Sequence, residues 1–250
     1  GLMDFARHQD VYMFPRFGQT FRSILFALLL SAFAGTGPVS AQSADVLENI
    51  RTILSDDTRQ ALPIENQRLD LIRYYAANDA QPLFVGTDRP RGLIVRMLDA
   101  DYDGLDPDHY PIEFLEDLEI EIDGASPERL AEIEIWFAAH FLRLAADIKV
   151  GRVLPRMVYP DLYMPRKAID GENVLRAMSQ FPDVDTFVEA WQPYNPEYTQ
   201  LRNKLADYID IRDQGGWGDI PGGVDVEIGQ RDERLPALRL RLDIEYGYEA

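Results

Sequence analysis

Residues 126–151 read SPERLAEIEIWFAAHFLRLAADIKVG, and this stretch decides the fold class. Ser126 suits the N-cap of a helix, where a side-chain oxygen accepts a hydrogen bond from a free backbone N–H. Pro127 suits the first helical position, because its missing N–H costs nothing there. Glu128 adds negative charge at the positive end of the helix dipole. From Leu130 to Val150 the apolar residues Leu130, Ile133, Ile135, Trp136, Phe137, Phe141, Leu142, Leu144 and Ile148 fall on most sides of the helix. A helix apolar nearly all round must be covered all round, so it belongs at the centre of a domain. Gly151 ends it.

Shorter helices are expected around this one. Val46, Leu47, Ile50, Ile53 and Leu54 share a face over Asp45–Leu54. Arg68–Ala77 reads as a second helix with Leu69, Ile72 and Tyr74 or Tyr75 inward. Pro82–Val85 reads as a short extended apolar piece between Pro82 and Gly86. A helix over Arg91–Ala100 is closed by Asp103-Gly-Leu-Asp-Pro107, where Gly and Pro oppose continuation. Pro111–Glu119 reads as a short helix, with Ile120-Glu-Ile122 open to a strand edge. Asn195-Pro196 starts a helix carrying Tyr198, Leu201, Leu205 and Tyr208, ending near Arg212. Composition then changes. Residues 214–223, QGGWGDIPGG, form a turn-rich linker and a domain boundary. Asp232 can cap a last helix with Leu235, Leu238 and Leu242 on one face. Residues 224–250 are too few to bury a core of their own.

The expected fold class is therefore mainly α: a helical domain over 45–213 around one long central helix, followed by a partial helical module over 224–250. Hydrophobic content of 46% supports a buried core. The net charge is −18, with the acidic excess lying after residue 41. Such a surface repels phosphate backbones and argues against nucleic acid as a partner. Residues 1–41 read as an N-terminal extension and secretory signal. Arg16 and Arg22 precede the apolar run Ile24–Ala34, then come Gly35, Gly37 and Pro38, and Val39-Ser40-Ala41 offers a small-x-small cleavage site. The run is too short to span a bilayer, which takes roughly 20 apolar residues. The expectation is export to the periplasm, cleavage after Ala41, and no stable membrane span afterwards.

Chemistry is sparse. The absence of cysteine excludes a thiol nucleophile and Cys-ligated metal from these residues. His8, His109 and His140 have no metal-ligand spacing, and no Gly-rich phosphate loop or GxSxG elbow occurs. Asp99-Ala-Asp-Tyr-Asp-Gly104 matches the first half of an EF-hand loop, but its twelfth position is Tyr110, where a bidentate acid should close the cage. An acidic helix end and turn is the favoured reading. Glu132 and Glu134, two apart on a helix, face different ways. Trp136 is expected in the core, His140 at or near it, and Trp217 between packed units. No catalytic, cofactor-binding or metal-binding residue and no cofactor is assigned.

Five stretches in series resemble the front section of the large Gram-negative murein L,D-transpeptidases. They are Tyr74-Tyr75 with Pro82-Leu-Phe-Val85, Gly104-Leu-Asp-Pro107 and Tyr110; then Phe141-Leu-Arg-Leu-Ala-Ala-Asp-Ile148 running into Gly151-Arg-Val-Leu-Pro155; then Pro193, Pro196, Tyr198, Leu201-Arg202, Leu205-Ala206 and Tyr208. Gly215-Gly-Trp-Gly-Asp-Ile-Pro-Gly222 is the fourth. Last come Gly229, Asp232 and Leu238-Arg-Leu-Arg-Leu242 with Gly247-Tyr248, similar to the first half of a peptidoglycan-binding module. The resemblance implies a scaffold domain over 45–213 and a partial peptidoglycan-binding-like domain over 224–250. It also implies peptidoglycan (glycan or stem peptides) as partner, and a separate C-terminal catalytic domain with a Ser/Thr-His-Gly-Cys nucleophile stretch. That stretch is absent here, so the chain is expected to be inactive alone and to be a fragment. A stand-alone, non-catalytic periplasmic peptidoglycan-binding or adaptor protein is the alternative.

Overall fold

The structure, a computed structural model, describes residues 38–56, 66–77, 79–159, 161 and 167–246. The signal sequence read in residues 1–41 lies outside them except at its end, as do His8 and Gly247-Tyr248. Among the described residues there are ten α-helices, two short 3-10 helices and no strand, so the fold is mainly α.

The central helix, α5, is Pro127–Val150. Its ends obey the sequence rules: Ser126 Oγ accepts from the Arg129 N–H at 3.3 Å, and Gly151 leaves the helix at φ 80°. That φ lies in the region that a side chain disfavours. Residues from Leu130 to Ile148 are buried on nearly every side. Around it pack α1 (Pro38–Ser55), α2 (Arg68–Ala76), α3 (Arg89–Leu98), α4 (Ile112–Glu121), α7 (Gly171–Met178) and α8 (Val184–Trp191). One continuous core joins Ile50, Leu71, Phe84, Met97, Phe137, Phe141, Leu175 and Phe187. Ring contacts run Phe84–Phe137, Phe84–Phe141 and Phe141–Phe187, with centroids 5.1–5.9 Å apart.

Cations close several of the surrounding helices, where unpaired carbonyls collect. Arg51 on α1 donates to the Tyr75 and Ala77 carbonyls at the end of α2, at 2.8 and 3.0 Å. Lys149 donates to the Trp191 carbonyl at the end of α8 and lies 4.6 Å from the Trp191 ring centroid. Aspartates open α7 and α8: Asp170 accepts from the Asn173 N–H and Asp183 from the Thr186 N–H. Gly171 lets α2 approach α7, since a Cβ there would sit 2.5 Å from Asp70 Oδ2.

The piece 82–85 is not an extended strand. It bends into a turn because its N–H groups converge on one buried carboxylate. Glu134, fully buried in α5, accepts from Leu83 N–H at 2.5 Å, Phe84 N–H at 2.9 Å, Val85 N–H at 2.8 Å and Tyr75 O–H at 2.6 Å. Burial pushes its carboxyl above the usual range, and these four donors pull in the opposite direction. The Tyr75 hydroxyl is held well above its ordinary value by burial and by the neighbouring carboxylate.

Three further expectations are corrected. Leu69 points outward, 66% exposed, while Leu71, Tyr74 and Tyr75 face the core. Arg68 fixes this register by donating to the Leu54 and Asp56 carbonyls. Ile120–Ile122 forms no strand edge, because α4 continues to Glu121 with Ile120 in solvent. The helix read over Arg91–Ala100 begins earlier, at Arg89, and gives way after Leu98 to a 3-10 turn, Ala100–Asp103.

Glu134→Gln keeps the shape but turns an amide N–H₂ toward backbone donors. We expect a loss of about 2–4 kcal/mol, the cost of leaving buried donors unpaired, read as a lower urea midpoint at unchanged slope.

Candidate functional site

A charged joint fastens α9 (Pro196–Asp213) to the body. This helix buries only Ile209, and Leu201 is 71% exposed. Polar contacts hold it instead. Asp103, whose side chain is 1% exposed, accepts from Arg96 at 2.6 Å, Arg202 at 2.8 Å and Gln192 at 2.9 Å. Glu189 on α8 accepts from Arg202 at 2.6 and 3.0 Å and from Arg96 at 3.2 Å. Arg202 beside Glu189 holds that carboxyl below the usual range, against the effect of burial. Tyr198 O–H donates to Gln192, and Arg212 reaches Asp101 at 3.1 Å.

Asp101 and Asp103 of the Asp99–Gly104 run are therefore engaged by arginines. Among the described residues no group of His, Asp or Glu side chains is arranged to hold a metal ion. Beyond α9, Trp217 packs against Tyr208 with ring centroids 5.5 Å apart. The Arg241 guanidinium of α10 (Leu235–Tyr246) lies over the Trp217 ring, 5.1 Å from its centroid. Tyr208 O–H donates to Glu245 at 3.3 Å. The apolar face read on α10 is only half covered, with Leu238 and Leu242 40% and 37% exposed.

A second feature is an open cleft of about 590 Å³ between α2, the C-terminal half of α5 and residues 167–169. Its floor is Ala139, Leu142 and Ala146, and its rim carries Asn66, Gln67, Asp70, His140, Arg143 and Lys167. His140 stacks on Trp136, centroids 5.8 Å apart and planes 9° apart. Burial lowers its pKa to about 4, so the ring is neutral at physiological pH. Arg143 donates to the His109 carbonyl at 2.7 Å and lies over the Tyr110 ring. Asp147 accepts from Tyr110 O–H and from Arg152, both at 3.0 Å. Shortly after Gly151 in the chain, Val153, Met157, Val158 and Tyr159 stand more than half exposed on and around α6 (Pro155–Val158).

His140 lies at the edge of the core and Trp136 is only partly buried, with Phe114 against its edge. His109 lines a groove with Asp103 and Tyr198, apart from the cleft of His140. Sequence reasoning missed the roles of Arg96, Glu189 and Arg202, because Arg96 and Glu189 are 93 residues apart in the chain.

Two measurements test this geometry. Asp103→Ala leaves Arg96 buried with a broken partner set. It should cost about 3–5 kcal/mol and speed amide exchange across 196–213 more than in α5. The second concerns His140, whose folded pKa of about 4 lies below its ordinary 6.5. The unfolded chain takes up that proton as pH falls below 6.5 while the folded chain does not. Stability is then full above pH 6.5 and falls toward pH 4 by on the order of 2 kcal/mol. His140→Gln should flatten that slope in urea titrations at pH 7, 5.5 and 4.5.

Comparison with known proteins gives one family. A model described as the Scaffold domain matches residues 70–205, just over half of the chain. No curated protein and no solved structure matches. The matched span opens inside α2 and closes inside α9, so it takes in α5, the Glu134 turn and the Asp103 joint. The chain belongs to the Scaffold domain family.

Proposed function

We propose that this chain is the non-catalytic scaffold portion of a peptidoglycan L,D-transpeptidase, exported to the periplasm, where it positions a cysteine-bearing catalytic domain against the cell wall. The observation that carries the reading is the Scaffold domain match over 70–205, which overlaps the stretches that resemble this enzyme family in sequence. The internal chemistry is consistent with it. The buried carboxylate and tightly packed aromatic rings serve rigidity, and the joint at Asp103 fixes the direction in which the chain leaves the body. Acyl transfer by a thiolate needs a sulfur nucleophile with a base beside it, and these 250 residues contain no cysteine. In this reading the nucleophile comes from another domain, and peptidoglycan is the partner that both domains meet.

Two observations test it. Reading the gene beyond codon 250 should show a Ser/Thr-His-Gly-Cys segment, and an immediate stop codon would overturn the assignment. The purified chain should release no D-alanine from tetrapeptide muropeptides in a chromatographic assay, and release at any enzyme-like rate would refute its non-catalytic role.

A further inference from the structure

Residues 148–160, IKVGRVLPRMVYP, contain Lys149, Arg152 and Arg156 and no acidic residue, in a chain where 43 of 250 residues are acidic. Described as far as Tyr159, the stretch leaves the C-terminal end of α5 and winds into the single turn of α6. The Met157 N–H donates to the Leu154 carbonyl at 2.8 Å and the Tyr159 N–H to the Pro155 carbonyl at 2.9 Å. This turn presents its apolar side chains to solvent. Val153, Met157, Val158 and Tyr159 are more than half exposed, Met157 at 80%, and Leu154 is 43% exposed. A four-residue helix rises only about 6 Å, so these side chains share one small projection. In the last turn of α5, just before it, the Lys149 ammonium lies 5.6 Å from the ring centroid of Tyr194, which is 86% exposed.

Apolar exposure alone does not set this projection apart. Val224 and Ile228 are at least as exposed, but they alternate with Asp225 and Glu227. What marks α6 is apolar exposure in the company of positive charge. Asp147 pairs with Arg152 at 3.0 Å, so residues 147–160 carry three cations and one anion. Exposed charges further away than about 8 Å are largely screened at physiological salt. The local balance, and not the net −18, therefore decides which surface the projection can meet. Protein partners match shape at the packing density of a protein interior, and a single turn of protruding side chains offers little surface to match. A lipid layer moulds to such side chains. Apolar groups edged by Lys and Arg, with tyrosine rings beside them, suit the boundary between head groups and acyl chains. Among the described residues no helix is long and apolar enough to cross a membrane, so such a contact is peripheral.

We propose that α6 and the residues leading into it, 152–159, dock peripherally on a phospholipid bilayer bearing anionic head groups. Val153, Met157 and Val158 enter the acyl boundary, and Tyr159 lies at the level of the head groups. Lys149, Arg152 and Arg156 face the phosphates, with their aliphatic stems along the apolar layer. The contact needs neither peptidoglycan nor a catalytic partner, so its failure and that of the function proposed above are separate events.

The chain has no cysteine, so Met157→Cys carries a single polarity-sensitive fluorophore. Ile228→Cys gives the same label a site that is exposed but flanked by acids. Each labelled whole chain is titrated with vesicles of phosphatidylcholine, and with vesicles of equal parts phosphatidylcholine and phosphatidylglycerol. Emission at position 157 should shift to the blue, saturably, with the anionic vesicles and less with the neutral ones, while emission at 228 stays put. Val158→Asp should weaken the response about tenfold or more, as loss of one inserted apolar side chain requires, and added salt should weaken it too. Positions 157, 158 and 228 are exposed, so these variants should fold, which an unchanged urea midpoint checks. Emission at 157 that ignores both kinds of vesicle, or a blue shift of equal size at 228, overturns the proposal. So does a blue shift at 157 on raising the chain concentration without lipid, because a second copy then covers this face.

Discussion

The body is organised around a carboxylate that has no access to water. Glu134 sits on α5, which is buried on nearly every side, where an unpaired charge would be prohibitive. It is tolerated because the turn at 83–85 brings three backbone N–H groups to it and Tyr75 brings a hydroxyl. The dependence runs both ways. A turn of Leu-Phe-Val has apolar side chains that belong in the core and N–H groups that do not. Glu134 lets the side chains go in by satisfying the amides: Leu83 and Phe84 are buried, and Phe84 packs on Phe137 and Phe141. One polar group thus fixes α2, the 83–85 turn and α5 relative to one another, a positional constraint that apolar packing alone, being non-directional, does not impose.

The attachment of α9 obeys the opposite principle. The core elements are held by buried apolar area, whereas α9 is held by arginines on carboxylates and one buried aspartate. The energetic consequence is asymmetric. Exposed pairs such as Arg212–Asp101 contribute little, and the weight of the joint falls on Asp103, where Arg96 is itself 8% exposed and the alternative to pairing is an isolated buried charge. A helix fixed in this way has a defined direction with little apolar surface behind it. Because Trp217 packs onto α9 and α10 reaches both, the joint also sets where the last described elements lie.

What the sequence made legible was the physics that acts within one turn of helix. The caps and all-round apolarity of α5 located the central helix to the residue, and Asn195-Pro196 located the start of α9. What it hid was long-range. Leu83-Phe-Val85 looks like any short apolar run until Glu134, about fifty residues on, is placed against it. Asp103 read as part of an acidic helix end and turn, and its role in fixing α9 stayed hidden because the arginines that engage it come from α3 and α9. Helical spacing groups Leu201 with Tyr198, Leu205 and Tyr208, but it cannot tell an apolar face that is covered from one held off the body by charge. The start of α7 and α8 was available and unused: Asp170 and Asp183 each stand three residues before an amide they cap.

The cleft and the joint are connected through the C-terminal end of α5 and Arg152 just beyond it. Asp147 lies on the cleft wall and is tied to Arg152 and to Tyr110, while the groove on its other side is lined by Asp103, Leu105, His109 and Tyr198. A short run of side chains therefore separates the cleft from the residues that orient α9. The two modes of attachment thus divide the described elements into a body held by buried apolar area and a helix, α9, held by charge-assisted contacts centred on Asp103.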